Sequence, residues 1–293
     1  MAQPLIAITG ATGNIGRMTA ERLAAQGAEL RLVVRDAAQA PRIDGVDVAS
    51  AADYGDTAQM TNALKGVDTL LLVSARETAN RLEKHYSAID AAVAAGVSRI
   101  VYTSICGAAP NATFTLARDH YATEQAIVQS GMAFAIQRQN LYADVLPLWS
   151  DGEGVIRGPA GDDHFLVPVV RSDVADVAVT LLNDDSHDGE TLNVSGPERL
   201  TLDHVANRLT ALTGKFFEYR QESIEDAYAS RGHFDAPQWQ LDAWVSTYTA
   251  IAEDEFDLPA DTVERLTGHP ATSFEHFVTE HPDCWAHVTR DAP

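Results

Sequence analysis

Cysteine is scarce in this chain: Cys106 and Cys284 are the only two in 293 residues, far apart and without metal-ligand spacing. A disulfide framework and a cysteine-based zinc site are therefore not indicated, and both are expected to be free thiols. Apolar runs long enough to cross a bilayer are also missing, as is a basic segment ahead of a cleavage site, so the expected compartment is the cytoplasm with no membrane partner. Cations are few, 21 Lys and Arg against 42 Asp and Glu, for a formal net charge of -21. Such a surface repels a phosphate backbone, and the basic residues form no stripe, so nucleic acid is not an expected partner. The acidity reads as solubility.

What is present is an alternation of short apolar runs with amphipathic segments. "PLIAITG", "ELRLVVR", "DTLLLVSA" and "RIVYTSI" read as strands, and "RMTAERLAAQG", "TAQMTNALKGV" and "RLEKHYSAIDAAVAAGV" as the helices between them. Apolar runs without polar alternation suit strands covered on both faces, and the intervening segments are long enough for right-handed crossovers. The expected fold is α/β, a Rossmann-type doubly wound parallel sheet with a smaller, mainly helical C-terminal substrate part. Gly27, Gly66 and Gly96 each end a helical pattern, where a left-handed cap is wanted. "MAFAIQRQNLY" reads as a further strand, after which the rhythm loosens. "HFLVPVV" and "TLNVSG" read as strands, with "RSDVADVAVTLLN" a helix between them. From about Pro197 the chain turns helical and irregular. The expected division is residues 1–140 as dinucleotide-binding core and 141–293 as mostly substrate-binding, with segments near 165–195 returning to the core.

Gly10, Gly13 and Gly16 directly follow the first strand and open the first helix. Gly10 permits a tight turn, Gly13 lets backbone amides approach a pyrophosphate, and Gly16 allows close packing of the helix, whose N-terminus carries partial positive charge. The expected ligand is a dinucleotide, held by Gly10, Thr12, Gly13, Asn14, Ile15 and Gly16. At the end of the second strand stand both Arg35, suited to a 2′-phosphate, and Asp36, suited to a 2′-hydroxyl. The strand-end rule adds Asp53 and Tyr54 after the third strand, and Val73 and Ser74 after the fourth, with Thr103 in the same cofactor set.

The spacing G-x-x-G-x-x-G in "TGATGNIG" resembles the short-chain dehydrogenase/reductase superfamily. With "VVRD", "AAVAAGVSRIVYTS" and "ARDHYATEQAIVQSGMAFAIQRQNLYADV" it is similar to the atypical, NmrA-like branch, which includes NAD(P)H:quinone oxidoreductases and triphenylmethane-dye reductases. The resemblance implies NADPH rather than NADH, with Arg35 on the 2′-phosphate and Arg17 near enough to assist. It places Asp53 and Tyr54 at the adenine and Val73 and Ser74 under the ribose or pyrophosphate.

Members of the superfamily usually pair a strand-end Ser with Tyr-x-x-x-Lys. Ser104 and Tyr121 fit the first two places, but Gln125 stands where lysine would be. Glutamine can hydrogen-bond a ribose and supplies no charge. A tyrosine lacking that cation is a poor base at neutral pH and still a proton donor, so reduction is better supported than oxidation. The expected catalytic residues are Ser104, Tyr121 and, from the branch, His120. "RQNLY" resembles the branch's Arg-Asn-x-x-Tyr, with Gln139 replacing the Asn. A flat electron-poor acceptor needs mainly aromatic walls, and Tyr142 and Trp149 are the expected substrate contacts. The leading expectation is an NADPH-dependent reductase of quinone-like or other planar conjugated acceptors. The alternative is an NmrA-type NADP(H)-sensing regulator with little catalysis. A homodimer is compatible with either, and no metal is expected.

Overall fold

The computed structural model describes residues 3–51 and 53–292. In chain order the elements are β1 (Ile6–Thr9), α1 (Asn14–Ala25), β2 (Leu30–Val34), β3 (Asp47–Ser50), α2 (Thr57–Ala63), β4 (Thr69–Leu72), α3 (Arg81–Ala95) and β5 (Arg99–Ile105). Then follow α4 (Thr115–Gln129), β6 (Ala133–Gln139), β7 (Val155–Gly158), α5 (Arg171–Asn183), β8 (Thr191–Val194), α6 (Leu202–Thr213) and β9 (Glu218–Gln221). The chain closes with α7 (Ile224–Arg231), α8 (Gln238–Ala252), α9 (Thr262–Thr267) and α10 (Phe274–Glu280). Among the described residues, no helix is long and apolar enough to cross a membrane.

Seven strands form one sheet in the order β3-β2-β1-β4-β5-β6-β8. The expected doubly wound α/β sheet is observed. The pairs β1–β2, β1–β4, β2–β3 and β4–β5 are parallel, with Ile8 opposite Leu32 on one side and Leu71 on the other. From β1 the chain builds outward through β2 and β3, then returns to place β4 on the far side of β1. The strand order therefore reverses between β1 and β4, the place where a doubly wound sheet opens a crevice at its strand C-termini.

Burial explains the strand pattern. Leu70, Leu71 and Leu72 are three consecutive residues with no exposed surface, which requires helices on both faces of β4. By contrast β3 is a polar edge strand, and its lack of an apolar run makes it hard to read in sequence. Gly27, Gly66 and Gly96 have φ of 81°, 76° and 82°, the left-handed values their positions predict.

The chain resolves into two compact units. The first comprises Met1–Ser104, Asp119–Arg138 and Val174–Leu192. Its core joins Val33, Leu64, Leu70, Leu72, Ile100 and Ile136 beneath α2, α3 and α4. The second comprises Ile105–Arg118, Gln139–Asp173 and Asn193–Pro293. It contains a two-stranded parallel sheet, with Ile156 of β7 opposite Tyr219 of β9. Leu166, Leu200, Leu209, Phe217, Phe256 and Phe274 belong to its core. Helix α6 starts with a capping box, in which the Thr201 hydroxyl accepts from the His204 amide and the Thr201 amide donates to His204.

The "HFLVPVV" segment departs from its expected strand. It pairs only through isolated bridges, Leu166 to Leu200 and Val169 to Tyr142. Pro168 lacks the amide a continuous ladder requires.

Phe256 is fully buried, its ring 6.0 Å from that of Phe114, and its carbonyl accepts from the Asn140 side chain and the Val167 amide. Phe256→Ala is expected to cost about 3–5 kcal/mol in urea unfolding, because a rigid core cannot close over the lost ring.

Candidate active site

The first unit builds its glycine cradle by packing two of its glycines too closely against neighbouring groups for a Cβ to fit. Gly10 has φ of 63°, and a Cβ there would lie 2.9 Å from Cβ of Val73 at the end of β4. A Cβ on Gly16 would lie 2.5 Å from the Gly10 carbonyl oxygen. The Gly13 amide donates to the Gly10 carbonyl at 2.8 Å, closing the turn. Gly13 is also the N-cap of α1, with no side-chain cap and no acidic residue in the first turn. The first turn of α1 thus has no side-chain cap for its amides, the arrangement suited to an anion. Thr12, Gly13 and Asn14 are exposed, while Ile15 and Gly16 pack inward.

Beside the cradle runs the segment that leaves β4. The Val73 amide donates to the Thr9 hydroxyl at 3.0 Å, and the Val73 carbonyl accepts from the Tyr54 hydroxyl at 2.8 Å. The Ser74 amide donates to the Thr103 hydroxyl oxygen at 2.8 Å. Asp53 is held by the Lys84 ammonium at 3.1 Å and the Gly55 amide at 3.2 Å. Arg35, exposed just beyond β2, lies close enough to influence both Asp53 and Tyr54 electrostatically. The Asp36 carboxylate accepts from the Ala38 amide at 2.9 Å, capping the short 3-10 turn Ala37–Gln39.

The interior face of α4 is polar. Leu116, Ala117, His120, Thr123, Glu124 and Ile127 are buried along it. The Ser104 hydroxyl donates to Glu124 Oε1 at 2.5 Å, and Arg138 forks onto the same carboxylate, Nε to Oε1 at 2.8 Å and Nη2 to Oε2 at 2.5 Å. His120 Nε2 accepts from Arg81 Nη2 at 2.7 Å. With that lone pair engaged, Nδ1 carries the proton and donates to the Tyr102 hydroxyl at 2.9 Å. Burial, then the Arg81 guanidinium, hold His120 well below the ordinary histidine range, so it is neutral.

In the second unit, Tyr142 is half-buried, with the Arg171 guanidinium 5.7 Å from its ring centre. Asp144 holds Arg171 at 2.5 Å. Trp149 lies 5.1 Å from Tyr248, whose ring carries the Arg231 guanidinium at 5.0 Å.

A family model described as NAD(P)H-binding matches residues 10–185, most of the chain, including the cradle and α4. The chain belongs to the NAD(P)H-binding family. The chain is 32% identical over 282 residues to quinone oxidoreductase 2 of Escherichia coli K12, covering 94% of this chain and 98% of that one. The NADPH complex of the Escherichia coli NADPH-dependent quinone oxidoreductase superposes with a TM-score of 0.86 at 31% identity, over 95% of this chain and 99% of that one. Triphenylmethane reductase of Citrobacter sp., complexed with NADP(H), gives a TM-score of 0.83 at 27% identity, over 94% and 99% of the two chains. These relatives agree with the NmrA-like resemblance read from "TGATGNIG" and the stretches after it.

The expected catalytic trio is dispersed. Ser104 and His120 are interior, 0% and 5% exposed, with their polar atoms engaged by neighbouring side chains, whereas Tyr121 is half-buried. Gln125 is exposed. The glutamine that stands in the lysine position of the sequence motif therefore does not occupy the interior, which is taken by Glu124 one residue earlier. Helical spacing carries the signal for this: positions 116, 120, 123, 124 and 127 form one face, and Glu124 lies on it while Gln125 does not. Sequence reasoning also missed Arg81, His85 and Tyr102, which have no local motif and meet α4 only through the fold.

Replacing Glu124 with Ala leaves Arg138 and Ser104 without their shared acceptor, and unfolding should show a loss of about 3–5 kcal/mol. Acid lability has a defined source as well. Burial, then Arg81, push His85 down to about 3 from an ordinary 6.5. Between those values the unfolded chain takes up a proton that the folded one refuses, so stability falls as pH drops from about 6.5 toward about 3. The unfolding midpoint of wild type should therefore fall more steeply over that acid range than that of His85→Gln, which has no titrating group at this position.

Proposed function

We propose that this protein is an NADPH-dependent reductase that delivers hydride to quinone-like and other planar conjugated acceptors. The observation that carries the reading is the cradle. Gly10 leaves no room for a Cβ against the Val73 side chain, Gly16 leaves none against the Gly10 carbonyl, and the helix N-terminus has no side-chain cap, which fits a pyrophosphate. Relatedness to the quinone oxidoreductase along nearly its whole length supports the same chemistry.

Bound NADPH would supply the hydride. Gly10, Thr12, Gly13, Asn14, Ile15 and Gly16 are assigned to the pyrophosphate and its flanking groups. Arg35 is assigned to the 2′-phosphate, because the neighbouring Asp36 already caps a turn and Arg35 projects into solvent. Asp53 supports the adenine side through its fixed carboxylate, and Tyr54 acts by holding Val73 in place. Val73 and Ser74 are assigned to the surface beneath the ribose, and Thr103, fully buried behind them, supports it by accepting from the Ser74 amide.

Tyr121 is assigned as proton donor to the reduced acceptor. Ser104 keeps a catalytic-site role by orienting Glu124, and His120, neutral and enclosed, holds position rather than exchanging protons with substrate. Gln125, at the surface, is left with at most a contact to the ribose. In the second unit Tyr142 and Trp149 are assigned to the aromatic acceptor. An electron-poor ring demands orientation more than acid or base strength, so the absence of the motif lysine is compatible with turnover.

The test is oxidation of NADPH, followed at the nicotinamide absorbance band, with a panel of quinones and triphenylmethane dyes. Acceptor-dependent oxidation that collapses in Gly13→Val is the expected result. Tight NADPH binding with no acceptor consuming it would instead favour the NADP(H)-sensing regulator. Arg35→Gln should raise the KM for NADPH about tenfold to a hundredfold and leave that for NADH nearly unchanged, the consequence of losing one charge-assisted contact.

A further inference from the structure

The segment from Val73 to Ala75 has no ladder or helix to satisfy its backbone, yet its polar groups are paired by side chains. Thr9, Tyr54 and Thr103 take the groups of Val73 and Ser74 described above. The Ala75 peptide is gripped on both sides by α3. Its amide donates to His85 Nε2 at 2.9 Å, and its carbonyl accepts from Arg81 Nε at 3.0 Å. Neither grip is loose, because each side chain is itself held. His85 must keep its lone pair on Nε2 to accept that amide, so Nδ1 carries the proton and donates to the Thr123 hydroxyl at 2.8 Å. Thr123 passes its own proton to the Asp119 carbonyl at 2.7 Å. Arg81, 3% exposed, reaches on to His120 and through it to Tyr102, and lies 3.6 Å from Asp119. The rings of His85, Tyr102 and His120 pack with centroids 5.8–6.5 Å apart.

We propose that Arg81, His85 and His120 are positioning residues for the dinucleotide: they lock the Ala75 peptide and so fix the Val73–Ala75 segment against which Gly10 of the cradle packs. The proposal rests on the reading that the cradle receives NADPH. The physical reason is that irregular backbone has many near-equal shapes, and only external hydrogen bonds to both sides of a peptide select one. A segment free to rotate at Ala75 would still permit folding, but would move Val73 and Ser74 away from the shape that receives the ligand. None of the three side chains needs to touch the ligand to act in this way.

NADPH is titrated into purified wild-type protein, His85→Leu, His85→Gln, Thr123→Val and Arg99→Met, with nicotinamide fluorescence giving Kd and amide hydrogen exchange reporting Ser74 and Ala75. Arg99, buried on β5 and paired with Asp188 at 2.6 Å, is the control for destabilisation away from the segment. His85→Leu is expected to raise Kd about tenfold or more, as loss of one well-placed hydrogen bond implies, and to speed exchange at Ala75 in the ligand-free protein. His85→Gln, whose side-chain oxygen can accept the Ala75 amide, should restore Kd to near the wild-type value. Arg99→Met should melt at lower temperature yet bind as wild type. Should His85→Leu fail to fold, Thr123→Val carries the test, since it removes the acceptor of Nδ1 while keeping side-chain volume. A folded His85→Leu or Thr123→Val with wild-type affinity and exchange would overturn the proposal, as would an equal loss of affinity in Arg99→Met. Failure of the wild type itself to bind NADPH would overturn the reductase reading, and this proposal with it.

Discussion

Gly10 lies so close to the Val73 side chain that no Cβ could fit between them, and much of the first unit is arranged around that contact. Parallel pairing of β1 with β4 puts the ends of both strands side by side where the order of the sheet reverses. A turn must leave β1 there and enter α1 within a few residues, while a second segment leaves β4 beside it. Only a residue without a Cβ, in a left-handed conformation, lets both pass. The same compactness brings Gly16 against the Gly10 carbonyl and sets the start of α1 at the mouth of the sheet. The fitness of the cradle for an anion thus follows from backbone geometry, with no cationic side chain required in the turn itself.

Around this contact the helix–sheet interface is more polar than a usual core. Ser104, His85, His120, Thr123, Glu124 and Arg81 are all buried. Buried polar groups destabilise unless paired, so such an interface persists only where nearly every donor finds an acceptor of fixed direction. Arginine at position 81 can only donate, and the amide of Ala75 can only donate, so both histidines are neutral with their protonated nitrogens determined by their neighbours. Glu124 does the complementary work as an acceptor, joining Ser104 of β5 to Arg138 of β6. The result is a rigid platform at the carboxyl ends of the central strands, which is what hydride transfer to an acceptor needing little acid or base assistance demands.

The second unit uses its aromatics in two ways. Tyr248 is buried and belongs to the core, with Trp149 against one side and Arg231 over the ring. Tyr142 is half-buried and rests beside Arg171, whose own carboxylate partner Asp144 keeps it in place. Composition could count these rings. It could not separate a ring that packs from a ring left partly open, because that distinction depends on which loops cover it.

The sequence by itself determined the parallel sheet, the glycine cradle and the helix caps, because each is a local consequence: apolar runs without alternation need cover on both faces, and Gly10, Gly13 and Gly16 follow a strand at a spacing that only a tight turn satisfies. It also contained the position of Glu124, legible from the helical spacing of α4, although the superfamily motif drew attention to Gln125 instead. Edge strand β3 was harder to read, since an exposed strand carries no apolar signature, and "HFLVPVV" misled because its composition suits a strand while Pro168 denies it a ladder. Tertiary structure alone decided the partners of the buried polar groups. Arg81, His85, Tyr102 and Arg138 lie on three different elements, and a hydrogen bond acts over about 3 Å of space regardless of the residues between in the chain. That is why His120, read as a catalytic candidate in the sequence, proves to be enclosed between Arg81 and Tyr102, and why the Ala75 peptide that those residues help to hold had no signature until the fold brought them together.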